Sequence, residues 1–123
     1  QPQTTAAARL TGCKNIAKAR KAGDFTVDVP DWGICLTAAR PVPDRLQAVG
    51  IRAHSFSPEV SSNRLSVTLC SHVKEPFEDL FLFRFQGQAS DSPPLWWRLP
   101  KGQTPDSFPS SLGVLPDQVL LLT

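Results

Sequence analysis

Cys70 and His72 are the two residues whose types and spacing come nearest to a metal site in this sequence. Zinc is bound by Cys sulfur and His nitrogen, but structural zinc sites usually draw on two close ligand pairs. Only one such pair is present, and His54 and Cys35 are far away along the chain. The sequence therefore predicts a surface histidine beside a half-buried cysteine, with no metal and no other cofactor.

Groups for nucleophilic and acid–base chemistry are present but follow no catalytic pattern. The chain has no Gly-x-Ser-x-Gly sequence, and the segment 110–113 does not replace it. Glu75 with Glu78 or Asp79 would give a pair of carboxylates, but these residues lie in a polar stretch that predicts a solvated cluster. No glycine-rich loop matches a phosphate-binding sequence. We therefore predict that the protein is not an enzyme.

Trp96 and Trp97 are adjacent in the short apolar segment 95–99. Adjacent residues of a strand face opposite ways, so one tryptophan should enter the core. The other should be exposed, or covered by a proline loop or by Arg98 through a cation–π contact. An exposed tryptophan is a candidate anchor for a protein partner or a sugar ring. We therefore take Trp96, Trp97 and Arg98 as candidate partner-binding residues.

The basic residues of the chain are concentrated near its start. Residues 1–23 contain five basic side chains and no acid, which leaves 13 − 5 = 8 basic residues against 11 acids in residues 24–123. Three explanations stay open: a solvated helix face, an arm that neutralises phosphates, or the remnant of a targeting sequence. The candidate polyanion-binding residues are Arg9, Lys14, Lys18, Arg20 and Lys21.

These basic residues would be positioned by a helix over residues 4–22. Thr4 or Thr5 can cap it, the alanines that follow have high helix propensity, and Gly23 can end it. Its apolar stripe is thin, which predicts light docking or an arm that a partner orders. The sequence thus divides into a basic N-terminal helix or arm, residues 1–23, and a β-sandwich domain, residues 24–123.

From Phe25 onward the apolar residues alternate with polar ones, as in half-buried strands. The segment 80–85 is apolar on both faces, which predicts a central strand or a face held for a partner, with Phe81, Phe83 and Phe85 as candidates. Twelve prolines favour short strands joined by turns. The prediction is an all-β fold, a small antiparallel sandwich or barrel of about seven strands. The expected strands are 25–29, 33–38, 51–56, 64–71, 80–85, 95–99 and 119–122.

Three functions fit this organisation, and none requires a membrane span. The first is a non-enzymatic domain that acts by contact with a protein partner or by self-association, as a subunit or module of a larger assembly. The terminal apolar strand 119–122 would pair with another chain's sheet edge in that case. The alternative is a nucleic-acid-binding module, OB-like or coat-like, that uses the basic arm. A further alternative is a carbohydrate-binding domain with a tryptophan platform.

Overall fold

The computed structural model describes residues 4–123 and consists mainly of antiparallel β-strands. In the described residues it has ten strands, one short α-helix, α1 (Thr5–Leu10), and two single 3-10 turns, Pro30–Trp32 and Pro116–Gln118. The predicted all-β class with a short N-terminal helix is confirmed. The strands are β1 (Asn15–Lys18), β2 (Arg20–Lys21), β3 (Thr26–Val29), β4 (Ile34–Thr37), β5 (Ala48–Ile51), β6 (Leu65–Lys74), β7 (Glu78–Phe85), β8 (Leu95–Pro100), β9 (Ser111–Leu112) and β10 (Leu120–Leu122).

The strands form three antiparallel sheets around one core. Their orders are β1-β5-β10, β2-β3-β4 and β8-β7-β6-β9. Only Ala19 separates β1 from β2, so one segment of the chain contributes to two sheets. Each sheet gives the core fully buried side chains, such as Val49 from the first, Val27 from the second and Phe83 from the third. Burial of this apolar surface is the main force that holds the sheets together.

The predicted helix is wrong beyond Leu10. Thr4 caps the helix as predicted, since its Oγ1 accepts a hydrogen bond from Ala7 N at 3.0 Å. The helix ends at Leu10, and Gly12 then turns the chain with a φ of +87°, which favours glycine. From residue 13 to residue 20 every second side chain is buried instead, and β1 pairs with β5 along its whole length. The prediction failed because the inward residues are small and give little hydrophobic pattern. Their intrinsic helix propensity is also a weak preference, which pairing with β5 overrides.

The strand predicted over residues 51–56 is also displaced, because the observed β5 spans Ala48–Ile51. Gly50 lies inside this strand. A Cβ there would come 3.0 Å from the Cys13 sulfur, so a glycine lets β1 and β5 approach closely. All four residues of β5 are buried because β1 and β10 pair on either side of it.

Two asparagine side chains join neighbouring elements in the way that a further strand would. Asn15, which is buried, accepts a hydrogen bond from Trp96 N at 2.7 Å and donates one to Trp96 O at 2.9 Å. Asn63 does the same with Thr37, accepting from its N at 2.8 Å and donating to its O at 3.0 Å. Each amide thus satisfies a strand's free N–H and C=O. Residues 13–21 are therefore tied to the remainder of the fold by β1, β2 and Asn15.

The described part of the chain contains no helix that is long and apolar enough to cross a membrane.

Candidate interaction surface

The three phenylalanines predicted to contact a partner lie inside the fold. Phe81, Phe83 and Phe85 are on β7, which has β6 on one side and β8 on the other. All three are buried, and Phe83 packs edge-on against Phe56 and Phe85 at centroid distances of 5.1 and 5.6 Å. Of the two alternatives for this segment, the central strand is the one observed. A partner cannot reach these rings in the folded chain.

An open sheet edge lies directly beside this buried strand. β6 is ten residues long, but its outer neighbour β9 pairs only with Leu65 and Ser66. Val67 N donates to Ser110 O at 3.0 Å, and no strand in residues 4–123 pairs with this edge from Thr68 to Lys74. All seven of those residues are exposed. Unpaired N–H and C=O groups along such an edge can pair with another chain.

The opposite edge of the same sheet, formed by β8, is closed. Asn15 occupies the main-chain groups of Trp96, and Arg98 N donates to Ala53 O at 3.0 Å. The chain thus covers one edge of its four-stranded sheet and leaves most of the other edge without a partner.

Exposed apolar side chains accompany the open edge. Leu69 and Val73 on β6 are 40% and 43% exposed, and Phe77, between β6 and β7, is 85% exposed. Leu69 lies opposite the buried Phe83 but is itself exposed, because β9 ends beside Ser66 and leaves this part of β6 uncovered. We call residues 68–78 the hairpin surface. Isolated exposed apolar residues are ordinary, but three of them beside an unpaired edge form a candidate contact surface.

The backbone holds the tip of the hairpin surface in place. Glu75 N donates to Glu78 O at 3.0 Å, which closes the turn between β6 and β7. Lys101 N donates to Phe77 O at 3.1 Å, which fixes the main chain at the most exposed ring. Phe77 is therefore presented on an ordered turn, and a partner would lose little backbone entropy in binding it.

The acidic residues near the hairpin are paired rather than solvated. Asp79 accepts hydrogen bonds from His72 Nε2 and Lys101 Nζ, both at 3.0 Å, and from the Thr104 hydroxyl. The bonds from Thr104, Lys101 and His72 hold the pKa of this carboxyl well below its usual range. The predicted solvated cluster is therefore wrong for Asp79, which is 5% exposed.

The His72–Asp79 pair resembles part of a catalytic arrangement, but its contacts are those of a structural support. The His72 ring stacks on Phe81, with centroids 4.3 Å apart and an interplanar angle of 17°. Lys101 and Thr104 belong to the segment between β8 and β9, and Phe108 of that segment packs over Phe81 at 5.6 Å. Asp79 thus fastens this segment over the aromatic core.

The two tryptophans face opposite ways, as the sequence predicted. Trp97 is fully buried and its Nε1 donates to Phe56 O at 3.0 Å. Trp96 is half-buried on the other face, with the Arg98 guanidinium carbon 5.0 Å from its ring centroid. Lys14 Nζ lies 5.6 Å from the same centroid. The structure therefore brings together one residue of the predicted polyanion set and two of the predicted partner set.

The other basic candidates are spread over different parts of the surface. Arg20 pairs with Asp28 and Lys21 with Asp44, each at 2.9 Å, so their charges are compensated. Arg9 and Lys18 are exposed, the first on α1 and the second on β1. Of the five basic candidates, only Arg9 lies on a helix, so the basic helix face suggested by the sequence is absent.

The cysteines form neither a metal site nor a disulfide. All three thiols are free, with Cys13 buried and Cys35 and Cys70 exposed. Burial raises the pKa of the Cys13 thiol. Within residues 4–123 no group of three or more His, Cys, Asp or Glu side chains is placed to hold a metal ion. Cys70, predicted to be half-buried, is exposed because it lies on the open edge.

No protein-family model matches the chain, and no curated protein or solved structure shows significant similarity to it.

Proposed function

We propose that this chain is a non-enzymatic binding domain that acts by protein–protein contact through the hairpin surface. The observation that carries the proposal is the combination of an unpaired edge over residues 68–74 with exposed Leu69, Val73 and Phe77. Main-chain groups along an open edge supply affinity for an added strand, and neighbouring side chains supply specificity. Phe77 provides an aromatic anchor, a residue type enriched at interfaces.

The matched variants are defined by the exposed apolar residues. The hairpin variant carries Leu69→Thr, Val73→Thr and Phe77→Ser, which removes apolar contact area and places β-branched threonine at both strand positions. The control variant carries Phe25→Ser and Leu115→Ser, whose side chains are 45% and 47% exposed in other parts of the fold. Both variants should remain folded, because exposed positions contribute little to stability.

A library of random peptides of about ten residues, long enough to span this edge, is selected against the full chain and both variants. We expect the wild type and the control variant to enrich peptides that the hairpin variant does not bind. Enrichment of the same peptides by the hairpin variant would place binding on another surface. Failure to enrich any peptide, with no self-association in sedimentation velocity, would also contradict the proposal.

A second candidate function, polyanion binding, is supported by the cations around Trp96. Lys14 and Arg98 lie within cation–π distance of this ring, and Arg9 and Lys18 add exposed positive charge on α1 and β1. Single-stranded nucleic acids bind where cations and a stacking aromatic occur together. Arg98 also pairs with Glu75 at 3.4 Å, which reduces its net contribution. A base or a sugar could stack on Trp96 only after a cation leaves the ring, but only a ligand with phosphates gains from these cations, so carbohydrate binding has less support.

Oligothymidine titration tests the second candidate, with tryptophan fluorescence as the readout. Trp32 and Trp97 are buried, so quenching by a stacked base would report on Trp96. We expect binding that weakens steeply with salt and is reduced by Lys14→Glu. Binding that salt leaves unchanged, or that Lys14→Glu does not alter, would reject this function.

A further inference from the structure

From the charges and the backbone register of β6 we infer that the occupant of the open edge is an acidic, extended segment of another protein. We infer further that this segment adds as a strand beside Ser71–Lys74. This inference rests on the function proposed above and specifies its partner.

The strand at the open edge carries a positive charge that no ion pair compensates. Lys74 makes no ion pair within the described part of the chain. Arg64 donates only to the main-chain oxygens of Pro58 and Val60, so no carboxylate balances its charge. Arg84, opposite Thr68 on β7, likewise donates to main-chain oxygens. Arg64 lies ten residues before Lys74 and Arg84 lies opposite Thr68, so the cation that an acidic segment beside Ser71–Lys74 would meet is Lys74.

The acids of the turn and of β7 contact other side chains. Glu75 pairs with Arg98 and Asp79 with Lys101, while Glu78 lies 2.5 Å from His54 Nε2, a contact that balances its charge only when the imidazole is protonated. Residues 64–74 themselves contain no acid. A basic or neutral segment would gain nothing from the charge of Lys74, whereas an acid directly across from it on the added strand would be attracted to it.

A β-bulge at Cys70 determines which main-chain groups of β6 point outward. Leu69 lies opposite Phe83 but Ser71 lies opposite Leu82, so Cys70 is the extra residue. Before the bulge, Val67 N points outward to Ser110 O, and Leu69 must point the same way. After the bulge, Glu75 N points inward to Glu78 O.

The inward hydrogen bond of Glu75 fixes the direction of the main-chain N–H and C=O groups in the four residues before it. The alternation of a strand directs the main-chain groups of Ser71 and Val73 toward β7 and those of His72 and Lys74 toward solvent. The residues with free outward groups are therefore Leu69, His72 and Lys74.

The charges of this edge disfavour a second copy of the chain as the occupant. Two antiparallel copies could match outward groups on the regular stretch beyond the bulge by placing His72 of each copy opposite Lys74 of the other. Residues 64–74 contain no acid, so each Lys74 would then lie opposite a residue that cannot compensate its charge. A foreign segment with an acid opposite Lys74 can compensate it.

The same register predicts the sequence of the segment. Residues directly opposite on neighbouring strands project from the same face of the sheet. The residue opposite Lys74 should therefore be Asp or Glu, and its neighbour opposite Val73 should be apolar. Continuing past Lys74, the segment reaches the turn, where a second apolar side chain can contact Phe77. An acidic residue beside an apolar one is thus the expected signature.

The peptides enriched by the wild-type chain in the library selection provide the test. We expect this acidic–apolar signature, and amide hydrogen exchange should slow at Leu69–Lys74 when a selected peptide binds. Lys74→Glu exchanges an attraction for a repulsion, so the dissociation constant should rise roughly tenfold. Lys18→Glu, an equally charged change on β1, should alter it less than about twofold. A peptide in which Lys replaces the acid should bind the Lys74→Glu variant again, because the two charges are then opposite.

The outcomes separate this inference from the function on which it rests. Peptides that need the hairpin surface but lack acids, or that bind Lys74→Glu as tightly as wild type, would overturn the acidic segment and leave the binding function intact. A wild-type dimer that the hairpin variant does not form would identify a second copy as the occupant. That result would also overturn the acidic segment and leave the binding function intact. If neither a peptide nor a second copy binds through the hairpin surface, both the acidic segment and the proposed binding function are overturned.

Discussion

Replacing Asn15 by Ala tests whether residues 13–21 are part of the β fold or an accessory arm. The side chain is 3% exposed and makes two hydrogen bonds to the main chain of Trp96, at 2.7 and 2.9 Å. Each bond contributes about 1 kcal/mol, and a buried N–H or C=O left without a partner costs about 1–3 kcal/mol. Because Trp96 is only half-buried, we expect Asn15→Ala to lower the free energy of unfolding by about 2–4 kcal/mol.

Urea denaturation followed by tryptophan fluorescence measures this loss, and Lys18→Ala is the control. Lys18 lies on the same strand and is exposed, so its truncation should change the free energy of unfolding by less than about 0.5 kcal/mol. A chain without residues 1–23 should lose more than Asn15→Ala, because it lacks β1 and β2 entirely. Equal stability of Asn15→Ala and Lys18→Ala would refute the structural role of the N-terminal segment.

Three further predictions concern the core, the charge network and the thiols. Trp97→Ala should cost about 3–5 kcal/mol in urea denaturation because the ring is fully buried; a loss under about 1 kcal/mol would contradict its placement. The pKa of Asp79 is lowered in the fold, so its carboxylate stabilises the protein above the unfolded pKa of about 4, and this is lost as pH falls toward the folded pKa. Asp79→Asn should therefore be less stable than wild type at neutral pH and lose less stability on acidification; parallel profiles would reject this. Iodoacetamide should modify Cys35 and Cys70 rapidly and Cys13 slowly, as mass spectrometry would show, since Cys13 is buried with a raised pKa. Fast modification of Cys13 in the folded chain would contradict its burial.

Strands built from large apolar residues could be predicted from the sequence alone. Val27 and Val29 alternate with polar neighbours, and the apolar run around Phe83 has the composition of a central strand. Both occur as expected, as β3 and β7. The first strand could not be predicted because its inward residues are Asn15 and Ala17, which carry little hydrophobic signal. Local propensity favours a helix there, but pairing with β5 holds these residues as a strand.

The candidate site was predicted only in part, for reasons that lie in long-range packing. The opposite faces of Trp96 and Trp97 follow from strand geometry, and the Arg98 cation–π contact was anticipated. The burial of Asp79 depends on Lys101 and Thr104, which are more than twenty residues away in sequence. The open edge depends on where β9 stops, which alternation alone does not indicate.

Amide hydrogen exchange across β6 tests most directly whether this edge is a binding surface. In the free chain we predict fast exchange at the outward amides of Leu69, His72 and Lys74, and slow exchange at Val73, whose N–H faces β7. Binding of a selected peptide should slow the three outward amides and leave Val73 unchanged. Outward amides that are already protected in the monomeric chain, or that a bound peptide leaves fast, would contradict the proposed function.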